Sequence, residues 1–570
     1  MPTEQLLQQV RAWRDDDPDP LTRQELEGLL ARCEDGDGPA AAELADRFAG
    51  TLQFGTAGLR GAVGAGPNRM NRAVVIRAAA GLTAYLRRDY AAPRVVIGYD
   101  ARHRSDDFAR DTAAVVTAAG GEALLLPGPL PTPVLAYAIR HLGAHAGVMV
   151  TASHNPPQDN GYKVYLGDGS QIVPPADRAI ASEIAAVARV ADVPRAKAGW
   201  RLLGDEVLDA YLRDVVAVVR PDAPRALSVV HTPLHGVGGD VLVRALVAAG
   251  FEAPYVVPSQ AEPDPDFPTV AFPNPEETGA IDAALDAARE RGADLVLAND
   301  PDADRCAVAV ADPQAAGGWR MLSGDEVGVL LGAHLVDRGV PDDAVMACSI
   351  VSSRQLAAVC AAARVGHVET LTGFKWIARV PGLRYGYEEA LGYCVDPDSV
   401  RDKDGVSAAL LVAELAAALK AEGRTLLDRL DDLARAHGVH ATAQYAVRVA
   451  DLSLITGAMA RLREHPPAVL AGSPVERADD LLLGSADLPP TDGLRYLLAD
   501  GGRVVVRPSG TEPKLKCYLE VIEPVTTDDL AGARAVAARR LASLRADVVT
   551  AVGLDRQTTV VTEETGAVAR

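Results

Sequence analysis

Three aspartates alternate in Asp300-Pro301-Asp302-Ala303-Asp304-Arg305, directly after the run LVLAN. Carboxylates crowded on one short loop repel one another unless a cation joins them. A solvated acidic turn is the plain alternative, but the apolar runs LVLA before and CAVAVA after argue for burial and a metal site. An EF-hand fails, because loop position 6 is Arg305 rather than Gly and position 12 is Ala311 rather than Glu. All-oxygen ligands select a hard ion, Mg²⁺ most naturally. A second signal is Thr151-Ala152-Ser153-His154-Asn155-Pro156 at the end of the run GVMV. Ser153 presents a hydroxyl from a strand-end loop, although the same residues also read as an ST- or Asx-turn. His154, adjacent in sequence, is expected to point elsewhere, which leaves Ser153 without an evident base. A serine near a metal and without a triad fits phosphoryl transfer better than acyl transfer.

A third group is Arg507, Ser509, Gly510 and Thr511, followed by Lys514 and Lys516. A bidentate guanidinium, small hydroxyls and a glycine that lets backbone N–H groups approach make a cradle for a dianion. The plain alternative is a hairpin turn with exposed lysines. A fourth, weaker group is Glu388 and Glu389 in GYEEALGY, suited to sugar hydroxyls but equally at home on a surface loop. Other catalytic handles are missing. There is no Gly-Lys pair for a Walker A loop, GVGGDV ends in Val where a dinucleotide fingerprint has its third glycine, and GxSxG and HExxH do not occur. His231 and His235 are four apart, but Pro233 between them argues against a helical ligand pair.

These loops need strands to present them. PRVVIGYDAR (93–102), AGVMVTASHNP (146–156), ALSVVHTPLHG (226–236), ADLVLANDPDADR (293–305), AVMACSIVSS (344–353) and GRVVVRPSGTEP (502–513) are apolar runs that each end in a polar loop. Ala/Leu/Val-rich helical stretches lie between them, so mostly parallel sheets with helices on both faces are expected. Ligands bind such sheets beyond the carboxyl ends of the strands, where these loops sit. Residues 1–50 read as helices, and boundaries are expected near 215–225, 320–325 and 438–445. The polar segment 553–570 reads as a frayed tail. A chain of 570 residues exceeds one core and implies about three to five domains.

Asp plus Glu total 77 against 57 Lys plus Arg, a net charge of −20. That balance argues against a nucleic-acid binder or an anionic-membrane partner, and 4% aromatics leave few base-stacking platforms. Only 7 of the basic residues are lysine, and Lys163, Lys375, Lys403, Lys514 and Lys516 fall in the loops singled out here. An ammonium is a compact point charge or proton donor, a role arginine fills poorly. Six scattered cysteines without a CxxC pair, no signal-peptide core and no membrane-length apolar run lead to the expectation of a soluble cytoplasmic protein.

Together and in this order, the loops resemble those of the α-D-phosphohexomutase superfamily, the phosphoglucomutases and phosphomannomutases. The resemblance runs from FGTAGLRG (54–61) to RPSGTEPKLK (507–516). LTGFKWI (371–377), GYEEALGY (386–393) and DKDGVSAA (402–409) are most similar to the longer branch with phosphoglucomutase-2-type enzymes and phosphopentomutases. The resemblance implies three α/β/α sandwich domains with mixed sheets and a smaller C-terminal α+β domain around a central cleft. On this reading 1–50 is an N-terminal helical extension, 51–220 carries the phosphoserine loop, 221–322 the metal loop, 323–440 the sugar loop, 441–553 the phosphate loop, and 554–570 is a tail. It implies Ser153 as phosphoserine, with Asp300, Asp302, Asp304 and the serine phosphate holding Mg²⁺. Arg60 would steady the phosphoserine, Lys163 would assist proton transfer, and Arg305 would contact substrate or the serine loop. Lys375 and Lys403 would approach the sugar phosphate, Glu388 beside Glu389 the sugar hydroxyls, and Arg507, Ser509, Gly510 and Thr511 the phosphate that is not reacting. Many members have a serine where Ala390 stands here, which leaves gluco, manno and pento substrates open.

The activity implied is interconversion of sugar 1-phosphate and 6-phosphate, glucose favoured, through a sugar 1,6-bisphosphate that also serves as activator. A hinge around 438–445 would allow closure. The partner is a phosphorylated monosaccharide, with monomer and dimer both open. The alternatives are a sugar-1,6-bisphosphate synthase, a haloacid-dehalogenase-like phosphatase using Asp300 as nucleophile, and a catalytically silent sugar-phosphate binder.

Overall fold

The computed structural model describes residues 3–55, 58–449, 451–485, 488–509, 514–526 and 528–554, and the backbone of 561–563. The chain divides into two compact units, residues 1–309 with 396–411 and residues 310–395 with 412–570. Gly510, Thr511 and most of the tail lie outside the described residues.

The first unit opens with helices Glu4–Asp16, Pro20–Glu34 and Gly38–Arg47. Asp19 and Asp37 start the second and third by accepting hydrogen bonds from Leu21 N and Ala40 N, with a proline in each first turn. Their apolar stripes, including Val10, Leu26, Leu30 and Leu44, pack into a small core with Ala65. A six-stranded mixed sheet follows, in the order Leu59–Ala62, Asp159–Leu166, Ala146–Val150, Arg94–Tyr99, Glu122–Leu125, Arg201–Leu202. Strand Ala146–Val150 is parallel to Arg94–Tyr99 but antiparallel to Asp159–Leu166. Alternation along it is clean. Ala146, Val148 and Val150 join the core beneath helices Arg72–Leu86 and Ser105–Ala118, while Gly147 faces Ile139 of helix Thr132–His141. Helices therefore cover both faces, as the buried apolar runs required.

A second sheet in this unit sets Leu295–Ala298 parallel to Val229–Thr232, with Tyr255–Val256 beyond. The chain leaves Ala298 into the loop 299–306, where Ala303 adopts φ 52° and Asn299 Nδ2 donates to Arg305 O at 2.6 Å. Two glycines press on this loop from outside. A Cβ on Gly236 would lie 2.4 Å from Pro301 Cα, and one on Gly405 would lie 2.2 Å from Arg305 O. Gly405 opens helix Gly405–Ala421 and donates its N–H to Ala303 O at 3.2 Å.

The second unit holds a four-stranded mixed sheet, Gly366–Thr370, Val345–Ser349, Leu383–Glu388, Gly392–Cys394, flanked by helices that include Gly324–Arg338 with its Ser323/Glu326 capping box. Its other sheet is an antiparallel meander in which Val439–Arg448 pairs with Lys514–Glu523, then Arg503–Pro508 and Leu494–Leu498. Helices Leu452–Glu464 and Leu530–Val552 contribute to the core of this sheet. A hinge was expected around 438–445. Gly438, at φ 87°, makes the turn, and everything after it to Arg448 is ladder-bonded strand. Buried Glu520 further ties that ladder to the loop after Ser349. It accepts hydrogen bonds from Ser353 Oγ (3.0 Å), Arg354 N (2.8 Å) and Arg354 Nε (2.6 Å), with Arg503 at 3.2 Å and His440 Nδ1 at 3.1 Å. No helix of the described residues is long and apolar enough to cross a membrane.

Gly405→Ala forces the 299–306 loop to move and costs about 1–3 kcal/mol, whereas Gly28→Ala, on an exposed helix face with nothing within 4 Å, gains about 0.5–1 kcal/mol. Denaturant midpoints test this, and equal midpoints for the two variants would refute it. Asp325 accepts from Ser353 N at 2.7 Å and Tyr387 OH at 3.0 Å, and burial pushes its carboxyl up to about 7 from 3.8. A raised carboxyl makes ionisation cost stability as pH climbs from about 4 to about 7. Asp325→Asn keeps an accepting oxygen, so its stability relative to wild type rises across that window, by on the order of 1–3 kcal/mol. A difference independent of pH would contradict the assignment.

Candidate active site

The hairpin Ala146–Val150/Asp159–Leu166 delivers two of the residues singled out in the sequence. Ser153 lies in its connecting loop, buried, at φ 51°, with its N–H donating to Thr151 Oγ1 at 2.9 Å. Lys163 stands on the returning strand opposite Met149. The metal loop meets both. Ser153 Oγ donates to Asp300 Oδ2 at 2.7 Å, and Lys163 Nζ reaches Asp302 Oδ2 at 2.6 Å and Asp304 Oδ2 at 2.9 Å. Arg60, on strand Leu59–Ala62 beside Gly161, donates to Asn155 Oδ1 at 3.2 Å within the serine loop.

All three aspartates are fully buried. Burial and the neighbouring charges of Asp302 and Asp304 push the Asp300 carboxyl up to about 8. Against burial, Lys163, Lys403 and Arg305 hold Asp304 well below the usual carboxylate range. Burial likewise works to discharge Lys163, but Asp302 and Asp304 outweigh it and raise its pKa above the ordinary lysine value. Arg305 donates its backbone N–H to Asp300 Oδ1 at 3.1 Å, and its Nε lies 3.7 Å from Asp300 and 3.8 Å from Asp304.

Lys403 Nζ sits 3.2 Å from Asp304 Oδ2, so it joins the acidic loop in this unit. Its neighbour Asp402 accepts hydrogen bonds from Tyr165 OH and Gln171 Nε2, both at 2.8 Å, and Asp404 accepts from Tyr211 OH at 2.9 Å. These bonds anchor the segment that carries Lys403.

The lysines take the Oδ2 atoms and leave Asp302 Oδ1 and Asp304 Oδ1 buried without a hydrogen-bond partner. One oxygen from each of the three aspartates lies within 4.8 Å of the others. A hard divalent cation fits this set, because two buried carboxylate oxygens without a hydrogen bond favour a close positive charge.

The second unit gathers the other residues. Glu388 ends strand Leu383–Glu388. Glu389 turns inward, accepting from Ser349 Oγ at 3.1 Å and Ser352 Oγ at 3.2 Å. Arg507, opposite Lys516 in the ladder, hydrogen-bonds Tyr518, whose hydroxyl is raised by burial and by the nearby charges of Glu389 and Glu388. The Arg507 guanidinium and the carboxylates of Glu388 and Glu389 therefore lie around one tyrosine. Ser509 donates its N–H to Lys514 O at 2.8 Å, and Lys375 is half-buried on the short helix Phe374–Ile377.

Sequence reasoning missed several groups here. His154 does not point away, since its Nδ1 lies 3.2 Å from Ser153 Oγ. The left-handed backbone at Ser153 redirects the chain, which adjacency in sequence does not reveal. Thr132 Oγ1 donates to Asp302 Oδ2 at 2.6 Å and Thr132 N to Asp302 O at 2.9 Å. The run ending GYDAR supplies Arg102, whose Nη2 donates to Ser153 O at 2.6 Å.

The geometry predicts that Asp302→Asn abolishes divalent-cation binding while the chain stays folded. Mg²⁺ should raise the thermal midpoint of the wild type, by the ordinary linkage of a ligand that binds only the native state. The same titration should leave the variant unmoved, and an equal shift in both would remove Asp302 from the ligand set.

Four family models match the chain in order. They are the phosphoglucomutase/phosphomannomutase alpha/beta/alpha domains I (residues 51–190), II (209–315) and III (323–436) and the C-terminal domain (445–536). A Haemophilus influenzae protein named "Probable phosphomannomutase" is 49% identical over 456 residues, 79% of this chain and 93% of its own. A mouse phosphopentomutase is 35% identical over 92% of this chain and 91% of its own. The crystal structure of a phosphoglucomutase/phosphomannomutase family protein from Burkholderia thailandensis shares the fold, with TM-score 0.66 at 19% identity over 89% of this chain and 98% of that one. The four-domain α/β architecture with mixed sheets, the buried aspartate triplet and these matches have one reading: the chain belongs to the phosphoglucomutase/phosphomannomutase family of the α-D-phosphohexomutases and is an enzyme of the phosphosugar-mutase type.

Proposed function

We propose that this enzyme interconverts sugar 1-phosphates and 6-phosphates through a phosphorylated Ser153 and a sugar 1,6-bisphosphate, with glucose as the preferred sugar. The observation that carries the reading is the 2.7 Å contact between Ser153 Oγ and Asp300 of the buried triplet. It joins a nucleophile-bearing loop to a loop built for a cation.

Phosphoserine 153 gives its phosphoryl group to the free hydroxyl of a sugar monophosphate. The bisphosphate turns over and presents its other phosphate, which Ser153 takes back. Asp300, Asp302 and Asp304 would hold Mg²⁺, which would supply charge neutralisation for the moving group. Lys163 handles the proton at the reacting hydroxyl. Arg60 steadies the serine loop, and Arg305 and Lys403 add positive charge beside it. Lys375 approaches the sugar phosphate, Glu388 orients sugar hydroxyls, and Glu389 supports that loop through Ser349 and Ser352. Arg507, Ser509, Gly510 and Thr511 hold the phosphate at rest. A cytoplasmic setting agrees with six cysteines that are all buried and free.

The names of the relatives favour a second reading at the level of the sugar. Mannose follows from the 49%-identical relative and a pentose from the 35%-identical one, with the same mechanism. A sugar-1,6-bisphosphate synthase shares the first half-reaction. The phosphatase alternative is disfavoured because all four phosphoglucomutase/phosphomannomutase domain models match the chain in order.

Peptide mapping should find phosphate on Ser153, stable to acid; phosphate released by hydroxylamine would point to an aspartyl phosphate instead. Ser153→Ala should lose mutase activity by at least about 10³-fold in a coupled assay while keeping its fold. Turnover near wild type would end the proposal. A panel of glucose, mannose, ribose and deoxyribose 1-phosphates ranks the sugars by kcat/KM, and a rank other than glucose first overturns only the sugar preference.

A further inference from the structure

Ser153 adopts φ 51°, a left-handed conformation that a residue with a Cβ holds only when its surroundings impose it. Arg102 lies against the backbone of this loop. Its side chain is 1% exposed and its two terminal nitrogens reach four backbone carbonyls of the serine loop. Nη2 donates to Ser153 O at 2.6 Å and to Asn155 O, and Nη1 donates to Pro156 O at 2.9 Å and Asp159 O at 3.2 Å. The guanidinium is itself fixed on two sides. Phe267 lies beneath it, with the ring centroid 4.9 Å from Cζ, and Asp100 accepts from Arg102 N at 3.0 Å while its carboxylate stands 3.4 Å from Nε. Asp100 is in turn held by Ser105 Oγ at 2.7 Å.

We infer that Arg102 is a positioning residue that locks the serine loop and so aims Ser153 Oγ at Asp300. The inference rests on reading Ser153 as the phosphorylated nucleophile. The role needs a guanidinium, because one planar fork spans four acceptors spread over residues 153–159, whereas an ammonium offers its three donors from a single point. The hydrogen bonds of the Arg102 guanidinium go to the serine loop and not to Asp300, Asp302 or Asp304, so its loss changes the aim of the nucleophile and leaves those carboxylates in place.

The test uses the full-length protein with Arg102→Lys and Arg102→Gln. Thermal midpoints report folding, steady-state assays report kcat and KM, and intact mass follows the rate at which Ser153 gains phosphate from a sugar 1,6-bisphosphate. A misplacement on the ångström scale lowers kcat by about 10²-fold, with the phosphorylation rate falling in parallel. KM stays within about threefold, since the sugar phosphate is held by other loops. The Mg²⁺-induced thermal shift is retained. Folded Arg102→Lys with wild-type kcat and phosphorylation rate overturns the inference, and so does loss of fold in both variants, which would make Arg102 a structural post only. If the wild type carries no phosphate on Ser153, the underlying reading fails. If the wild type is phosphorylated and Arg102→Lys takes up phosphate equally fast, the positioning role alone fails.

Discussion

Burying three carboxylates on one six-residue loop is the constraint on which the first unit depends. An isolated buried carboxylate neutralises itself or destabilises the fold, so positive groups must arrive from elsewhere with their geometry already set. Lys163 comes from a strand of a different sheet, Lys403 from a segment about a hundred residues later, and Arg305 from the loop itself. Each is anchored by the element that carries it. Lys163 is held in register by the antiparallel hairpin, and Lys403 by Asp402 with Tyr165 and Gln171. The return of residues 396–411 to the first unit therefore has an electrostatic reason as well as a packing one.

The hairpin that presents Lys163 also presents Ser153, and this economy explains the antiparallel pair in a sheet that is otherwise largely parallel. A parallel crossover would have placed a helix between Ser153 and Lys163. Close backbone approach on the other side of the loop, at Gly236 and Gly405, removes the side chains that would hold the loop away from its partners.

In the second unit a buried carboxylate again organises its surroundings. Glu520 draws Arg354, Arg503 and His440 together and joins the C-terminal ladder to the sheet that bears the glutamate loop. A buried ion network of this kind is costly to open, because removing any partner strands the others without water. Arg507 and the Glu388–Glu389 loop consequently stand at a defined spacing around Tyr518. Strand Val439–Arg448 contributes His440 to this network.

Much of this was legible in one dimension. Apolar runs ending in polar loops led to mixed α/β sheets, the alternating Asp300, Asp302 and Asp304 led to a cation site, and the rare lysines led to residues that are buried in the structure, Lys163, Lys403 and Lys514. Such features are visible because period, spacing and scarcity are properties of the chain itself. The partners were not. Thr132 on Asp302, His154 turned back on Ser153, Arg102 beneath the serine loop and Lys403 on Asp304 depend on strand register and on a left-handed residue, which no spacing in the sequence encodes. The sequence by itself determined which groups could do the chemistry. Tertiary structure decided which of them meet, because contacts between segments tens to hundreds of residues apart are set by how sheets pack and how buried charges find their counterparts.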